Sequence, residues 1–73
     1  MDGWEYDKIL DTLDSMINDK PVMPGHVAQQ VWTLYPNMDI KPWLVRKIIR
    51  MEIKKKISNA EIIEIGKGKY MKI

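Results

Sequence analysis

Arg46 and Arg50 stand four residues apart, with Lys47 between them and Lys41 and Lys54 on either side. On a helix, residues four apart share a face, so the two guanidinium groups would project side by side. Arginine offers a planar fork of donors that fits a phosphate or the major-groove edge of guanine, and the flanking lysines would supply point charges for phosphates. Lys67 and Lys69 interleave with Gly66 and Gly68 near the C-terminal end, with Lys72 behind them. Gln29, Gln30, Thr33 and His26 add neutral donors to the same inventory. The chemistry these residue types suggest is the holding of a polyanion.

Other groupings carry less. Asp7, Asp11 and Asp14 line up at helical spacing. Three aligned carboxylates could hold a hard cation, but such sites draw ligands from loops or several elements, so the stripe reads as solvated. His26 is the only histidine, with no nucleophile or acid at a spacing that would make it a catalyst. Gly66-Lys67-Gly68 lacks the spacing and following helix of a phosphate-binding loop and reads as a hairpin turn. There is no cysteine, hence no disulfide and no thiolate metal site. With no cofactor motif and little room for a deep pocket, neither an enzyme, a cofactor nor a metal is expected.

The basic residues belong to a wider separation of charge. Residues 1–20 carry Asp2, Glu5, Asp7, Asp11, Asp14 and Asp19 against Lys8 and Lys20, a net of −4. Residues 41–73 hold ten bases against Glu52, Glu61 and Glu64, a net of +7. The whole-chain value of +2 hides this dipole. A domain with one basic end is suited to meet a polyanion with that end. The 73 residues make one small domain, 45% apolar and 30% charged, as in folded globular chains. No apolar run reaches the length of a membrane span and no signal-peptide pattern is present, so the expectation is a cytoplasmic protein without a membrane partner.

Four elements must position these groups. From about 4 to 18, Tyr6, Ile9, Leu10, Leu13, Met16 and Ile17 fall within an arc of about 120° on a helical wheel. Asp2 is the expected cap of this helix, and Glu5 and Asp7 suit the positive end of its dipole. Val22-Met23, between two prolines, reads as a short extended piece and a possible third strand. A second helix follows from about 26 to 35, with Val27, Ala28, Val31, Leu34 and Tyr35 on its apolar side and Trp32 as core. A third helix runs from about 40 to 53, capped by Asp39. Ile40, Leu44, Val45, Ile48, Ile49 and Met51 are its apolar side. Trp43, Arg46, Lys47, Arg50 and Lys54 are its polar side, while Lys55 and Lys56 fall at or past its end. A hairpin from about 60 to 73 turns at Gly66-Lys67-Gly68. A three-residue loop opposes Ile63 to Met71 and Ile65 to Lys69, and gathers Ile63, Ile65, Met71 and Ile73 on one face, expected to be the inner one.

Helix, short strand, helix, turn, basic helix, hairpin is an order that resembles the winged helix-turn-helix DNA-binding superfamily, an α+β fold. The resemblance rests on Pro24–Tyr35, the turn Pro36–Asp39, the helix Ile40–Ile53, and the hairpin Glu61–Ile73 with its Gly-Lys-Gly-Lys tip. It implies double-stranded DNA as partner and a small transcriptional regulator as role. The third helix would enter the major groove and the wing would lie along the backbone or minor groove. Lys41, Trp43, Arg46, Lys47, Arg50, Lys54, Lys67, Lys69, Gln29, Gln30 and Thr33 are then the candidate contacts. Trp43 has a second reading, as a peripheral core residue folded over Pro42. Two other partners stay in play. An adaptor on the same scaffold would use Trp4, Trp43 and Tyr70 as anchors. A structured RNA would meet the same charge, without the aromatic sheet of the common RNA-binding module. The chain is expected to act as a monomer or a weak homodimer.

Overall fold

A computed structural model describes residues 3–73, so the expected Asp2 cap lies outside the described residues. Three helices, α1 (Gly3–Asp19), α2 (Pro24–Leu34) and α3 (Pro42–Ser58), precede an antiparallel hairpin of β1 (Ile62–Gly66) and β2 (Lys69–Lys72). This is the expected α+β arrangement of three helices and a C-terminal wing. The core is built from Ile9, Leu13 and Ile17 of α1, Val27 and Val31 of α2, and Val45, Ile48, Ile49 and Ile53 of α3, with Val22 and Ile62 closing it.

On α1 the buried arc is turned from the expected one: Glu5 and Thr12 enter it, and Tyr6 is exposed. Thr12 tolerates burial because its hydroxyl donates to the Lys8 carbonyl at 2.8 Å. One carboxylate oxygen of Glu5, Oε2, has no hydrogen-bond partner among the described residues.

The link to α2 follows from its prolines. Met23 is extended, as a residue before proline must be, and Pro24 opens α2 where a missing N–H is harmless. Val22 joins the hairpin as the expected third strand, but as a single bridge: its N–H and C=O pair with those of Tyr70 at 2.8 and 2.9 Å. The ladder stops there because the chain leaves for α2 at Pro24. Leu34, expected in the core, is exposed, whereas Met38 and Ile40 of the following turn are buried.

Helix α3 starts at Pro42 with Lys41 as its N-cap and no side-chain cap bond, so Asp39 does not cap it. It runs to Ser58, beyond the expected end, carrying Lys55 and Lys56 in its last turn, where cations suit the dipole. Met51, expected on its apolar side, is 60% exposed. The helix ends at Asn59, followed by Ala60 with φ of 58°. The Ala60 N–H donates to the Ile57 carbonyl at 3.0 Å and the Glu61 N–H to the Lys56 carbonyl at 2.9 Å, the two bonds of a Schellman stop. Alanine occupies the left-handed position usually given to glycine.

In the hairpin Ile63 opposes Met71 as expected, but Ile65 falls in a bulge and Gly66 faces Lys69. Gly68 takes φ of 73°, and its N–H donates to the Glu64 carboxylate at 2.9 Å. The faces are the reverse of the expectation. Ile62 is buried and Tyr70 packs on the core, whereas Ile63, Ile65, Met71 and Ile73 face solvent. Strand alternation shows which residues share a face; the direction in which the chain leaves α3 decides which face turns inward.

One ion cluster joins these elements. Lys56 reaches Asp14 of α1 at 2.8 Å, Glu52 one turn earlier at 3.8 Å, and Glu61 at the start of the wing at 3.9 Å. The hydrogen bond to Asp14, aided by the charges of Asp14, Glu61 and Glu52, raises the Lys56 pKa above its ordinary 10.5, against the opposing pull of burial.

Two outcomes follow for stability. Ala60→Gly removes the left-handed strain and stabilises the fold by about 1 kcal/mol in urea unfolding. Lys56→Met destabilises by about 1–2 kcal/mol at neutral pH, since three carboxylates lose their shared cation. Because the folded-state pKa of Lys56 is raised, its contribution is fully present below 10.5 and is lost as pH climbs through the higher folded value. Urea titrations of wild type and variant, repeated toward alkaline pH, check that convergence.

Candidate nucleic-acid interface

The solvent face of α3 carries two parallel rows. Arg46, Arg50 and Lys54 follow one another at steps of four, and Trp43, Lys47 and Met51 do the same beside them. All six are exposed. At about 1.5 Å of rise per residue, each row spans roughly 12 Å of helix, close to the width of a DNA major groove. Among the described residues every ion pair involves Lys56, so neither arginine nor Lys41, Lys47 or Lys54 is neutralised by a neighbouring carboxylate. Trp43, at 62% exposure, stands in solvent and is not a lid on the core.

Beside these rows an open cleft of about 560 Å³ is lined by Pro24, Gly25, Ala28, Gln29 and Trp32 of α2 and by Arg46 and Arg50 of α3. A second, of about 380 Å³, carries Arg50 and Lys54 together with Met23, Pro24 and Gly25, and reaches Gly68 and Tyr70 of the wing. Pro24, Gly25 and Arg50 line both, so one groove leads from the arginines past the start of α2 to the wing. That start suits an anion. It has no acid in its first turn and no side-chain cap. The Met23 carbonyl accepts from His26 and Val27, while the Gly25 N–H has no backbone acceptor among the described residues. Nothing lies within 4 Å of where a Cβ on Gly25 would stand, so a ligand can approach the backbone closely. The positive end of the α2 dipole and two guanidinium groups thus face the same opening.

The remaining candidates divide. Gln29 lines the arginine cleft. Gln30 is half-buried on the other side of α2, in a cleft with Thr12, Met16 and Asp19 of α1. Thr33 is exposed, but its hydroxyl donates to the Gln29 carbonyl at 3.0 Å, and it lies toward Lys20 and His26. Neither Gln30 nor Thr33 lines the clefts that hold Arg46 and Arg50. Lys67 and Lys69 are exposed at the wing tip. Lys72 lines a cleft with Asp14, Lys56 and Glu61, so it does not extend the basic face of α3. The role of Gly25 was legible only once Pro24 is placed at the first position of the helix; Met51 follows Lys47 by four residues in the exposed row, at the edge of the apolar arc it was expected to join.

Among the described residues no three of His, Asp or Glu gather as metal ligands, and no helix is long and apolar enough to cross a membrane. No protein-family model matches this chain, and neither does any curated protein or solved structure. The residues themselves must therefore carry the functional reading.

Because the face is solvent-exposed and unpaired, it contributes little to folding. Arg46→Ala, Lys47→Ala and Arg50→Ala each leave the unfolding free energy within about 0.5 kcal/mol of wild type, as urea melts followed by circular dichroism will measure. A larger loss at either arginine would mean that the side chain is held by the fold and not offered to a ligand.

Proposed function

We propose that this chain binds double-stranded DNA as a winged helix-turn-helix module. Helix α3 would lie in the major groove and the wing tip along the backbone, in the role of a small transcriptional regulator. The observation that carries the reading is the row of Arg46, Arg50 and Lys54, exposed and, among the described residues, without carboxylate partners, opening onto the uncapped start of α2. Arg46 and Arg50 would read base edges. Lys41, Lys47, Lys54 and the Gly25 N–H would hold phosphates, with Lys67 extending the contact from the wing. Trp43 and Met51 present apolar surface on the same face, suited to a thymine methyl or a sugar.

That pair of apolar side chains also favours a second reading, in which the same face docks an acidic protein with Trp43 as its anchor. The two separate in one experiment. Fluorescence anisotropy against a labelled DNA duplex, titrated at several salt concentrations, gives a log–log slope of about −4 to −5 if four to six phosphates are met. Arg46→Ala and Arg50→Ala each weaken binding about tenfold. A matched RNA duplex competes poorly. Absence of binding at low salt, or variants that bind as wild type does, would remove the DNA reading and leave the adaptor.

A further inference from the structure

We propose that the cleft between the start of α2, the C-terminal half of α3 and the wing binds a small aromatic carboxylate. The nucleic-acid reading uses the charge of this cleft and leaves its apolar surface without a role. The cleft holds about 380 Å³, at the small end of the range for ligand sites, about 300 to 1,000 Å³. Ile53, 2% exposed, lies deepest among its lining residues, while Met23 and Ile57 are 40% and 41% exposed. Tyr70 lines it from the wing, half-buried, with its backbone N–H and C=O paired to Val22 at 2.9 and 2.8 Å. That bridge ties the wing to the segment that leads into α2, so the cleft is formed before a ligand arrives, which lowers the cost of binding. Gly25 and Gly68 also line it, and a Cβ on either would meet nothing within 4 Å. The space beside them is open to a ligand.

The charges of the cleft choose the occupant. Arg50 and Lys54, one helical turn apart, both line it, and among the described residues no Asp or Glu does. Neither cation has a carboxylate partner among those residues. A ligand that covers the apolar surface must therefore bring its own anion. The planar fork of Arg50 accepts a carboxylate through two parallel hydrogen bonds, and Lys54 adds a point charge beside it. Tyr70 favours a flat ring as the apolar body, since an aromatic pair gains contact beyond its area and a rigid ring loses little freedom on binding. A phosphodiester strand would satisfy the two cations but lay a polar backbone over Met23 and Ile57. Because Arg50 is shared, a bound carboxylate and a DNA duplex compete. That competition rests on the nucleic-acid reading; the site itself does not.

Two-dimensional amide NMR of the full chain, titrated with naphthoate and no DNA present, tests the site directly. An open cleft and a ligand of about a dozen heavy atoms imply a Kd of roughly 0.1–1 mM. The amides of Gly25, Ile53, Ile57, Gly68 and Tyr70 should shift together along one binding curve. Acetate, which lacks the ring, and naphthylmethanol, which lacks the charge, should each bind at least about tenfold more weakly. Arg50→Gln should weaken naphthoate about tenfold and Ile57→Ser about fivefold. No saturable shift by about 10 mM, shifts spread equally over Arg46, Lys67 and Lys69, or naphthylmethanol binding as well as naphthoate would each overturn the proposal. A second arm repeats the DNA titration in naphthoate at about ten times its Kd, against equal acetate to match ionic strength. Apparent DNA affinity should fall about tenfold for the wild type and by clearly less for Ile57→Ser. A duplex that never binds would remove the DNA reading and leave the site to the NMR result. A duplex bound equally well in naphthoate and acetate would overturn the competition.

Discussion

The way α3 ends governs most of what lies outside the helical core. Asn59 and left-handed Ala60 reverse the chain within two residues, and the bonds from Ala60 and Glu61 back to the last turn fix the angle at which it leaves. Glu61 then lands beside Lys56, and Ile62 becomes the first side chain to point into the core. Every later residue of the hairpin inherits its face from that choice. A reversal one residue earlier or later would exchange the two faces of the strand, bury Ile63, and send Ile62 into water. Alanine accepts a cost of about 1–2 kcal/mol in this conformation, and the structure offsets it with two backbone hydrogen bonds and the docking of Ile62.

Lys56 is the electrostatic counterpart of that turn. Its position among ten bases of the C-terminal half would place it with the others, but its stem lies inside the bundle and its ammonium group meets Asp14, Glu52 and Glu61. It satisfies one acid from each of three elements, α1, α3 and the start of the wing. Lys72 lines the same corner. Asp14 of the acidic half is thus answered by Lys56 on the inward side of α3, and among the described residues the cations on its solvent face have no carboxylate partner. Segregation of charge along the sequence becomes segregation in space because helical periodicity puts Lys56 and Arg50 on different sides of one helix.

The order of elements was legible because strong periodicities and prolines mark it. Val45, Ile48, Ile49 and Ile53 repeat at helical spacing, and the prolines separate the helices, although the helices start at Pro24 and Pro42 and not at about 26 and 40. The exposed row of α3 was legible for the same reason. What escaped the sequence has a common cause, the competition between residues for the same buried space. Leu34 and Tyr6 are exposed while Met38 and Glu5 are buried. Met51 sits at the margin of the apolar arc, where a small rotation of the helix decides burial. The hairpin shows the limit most clearly. Its pairing of Ile63 with Met71 follows from the turn, but both of its faces carry apolar residues, and hydrophobicity alone cannot rank Ile62 and Tyr70 above four other apolar side chains. The bridge from Tyr70 to Val22 and the stop at Ala60, both tertiary, decide it.

A chain of this length has a high ratio of surface to volume, and three helices already close most of its core. A two-stranded wing can add only one face to such a core. Here the inward face contributes Ile62 and half-buried Tyr70, while Glu64 turns to the Gly68 N–H and Lys72 to the acidic corner. If the wing served only the fold or only a polyanion, its outer positions would be expected to be polar, as β-branched and aromatic residues on a solvated sheet face gain nothing from burial. Four apolar residues stand there instead, outside the contacts that Ile62 and Tyr70 make with the core. The molecule then presents two separable surfaces, a cationic one on α3 set by helical periodicity and an apolar one on the wing set by the reversal at Ala60.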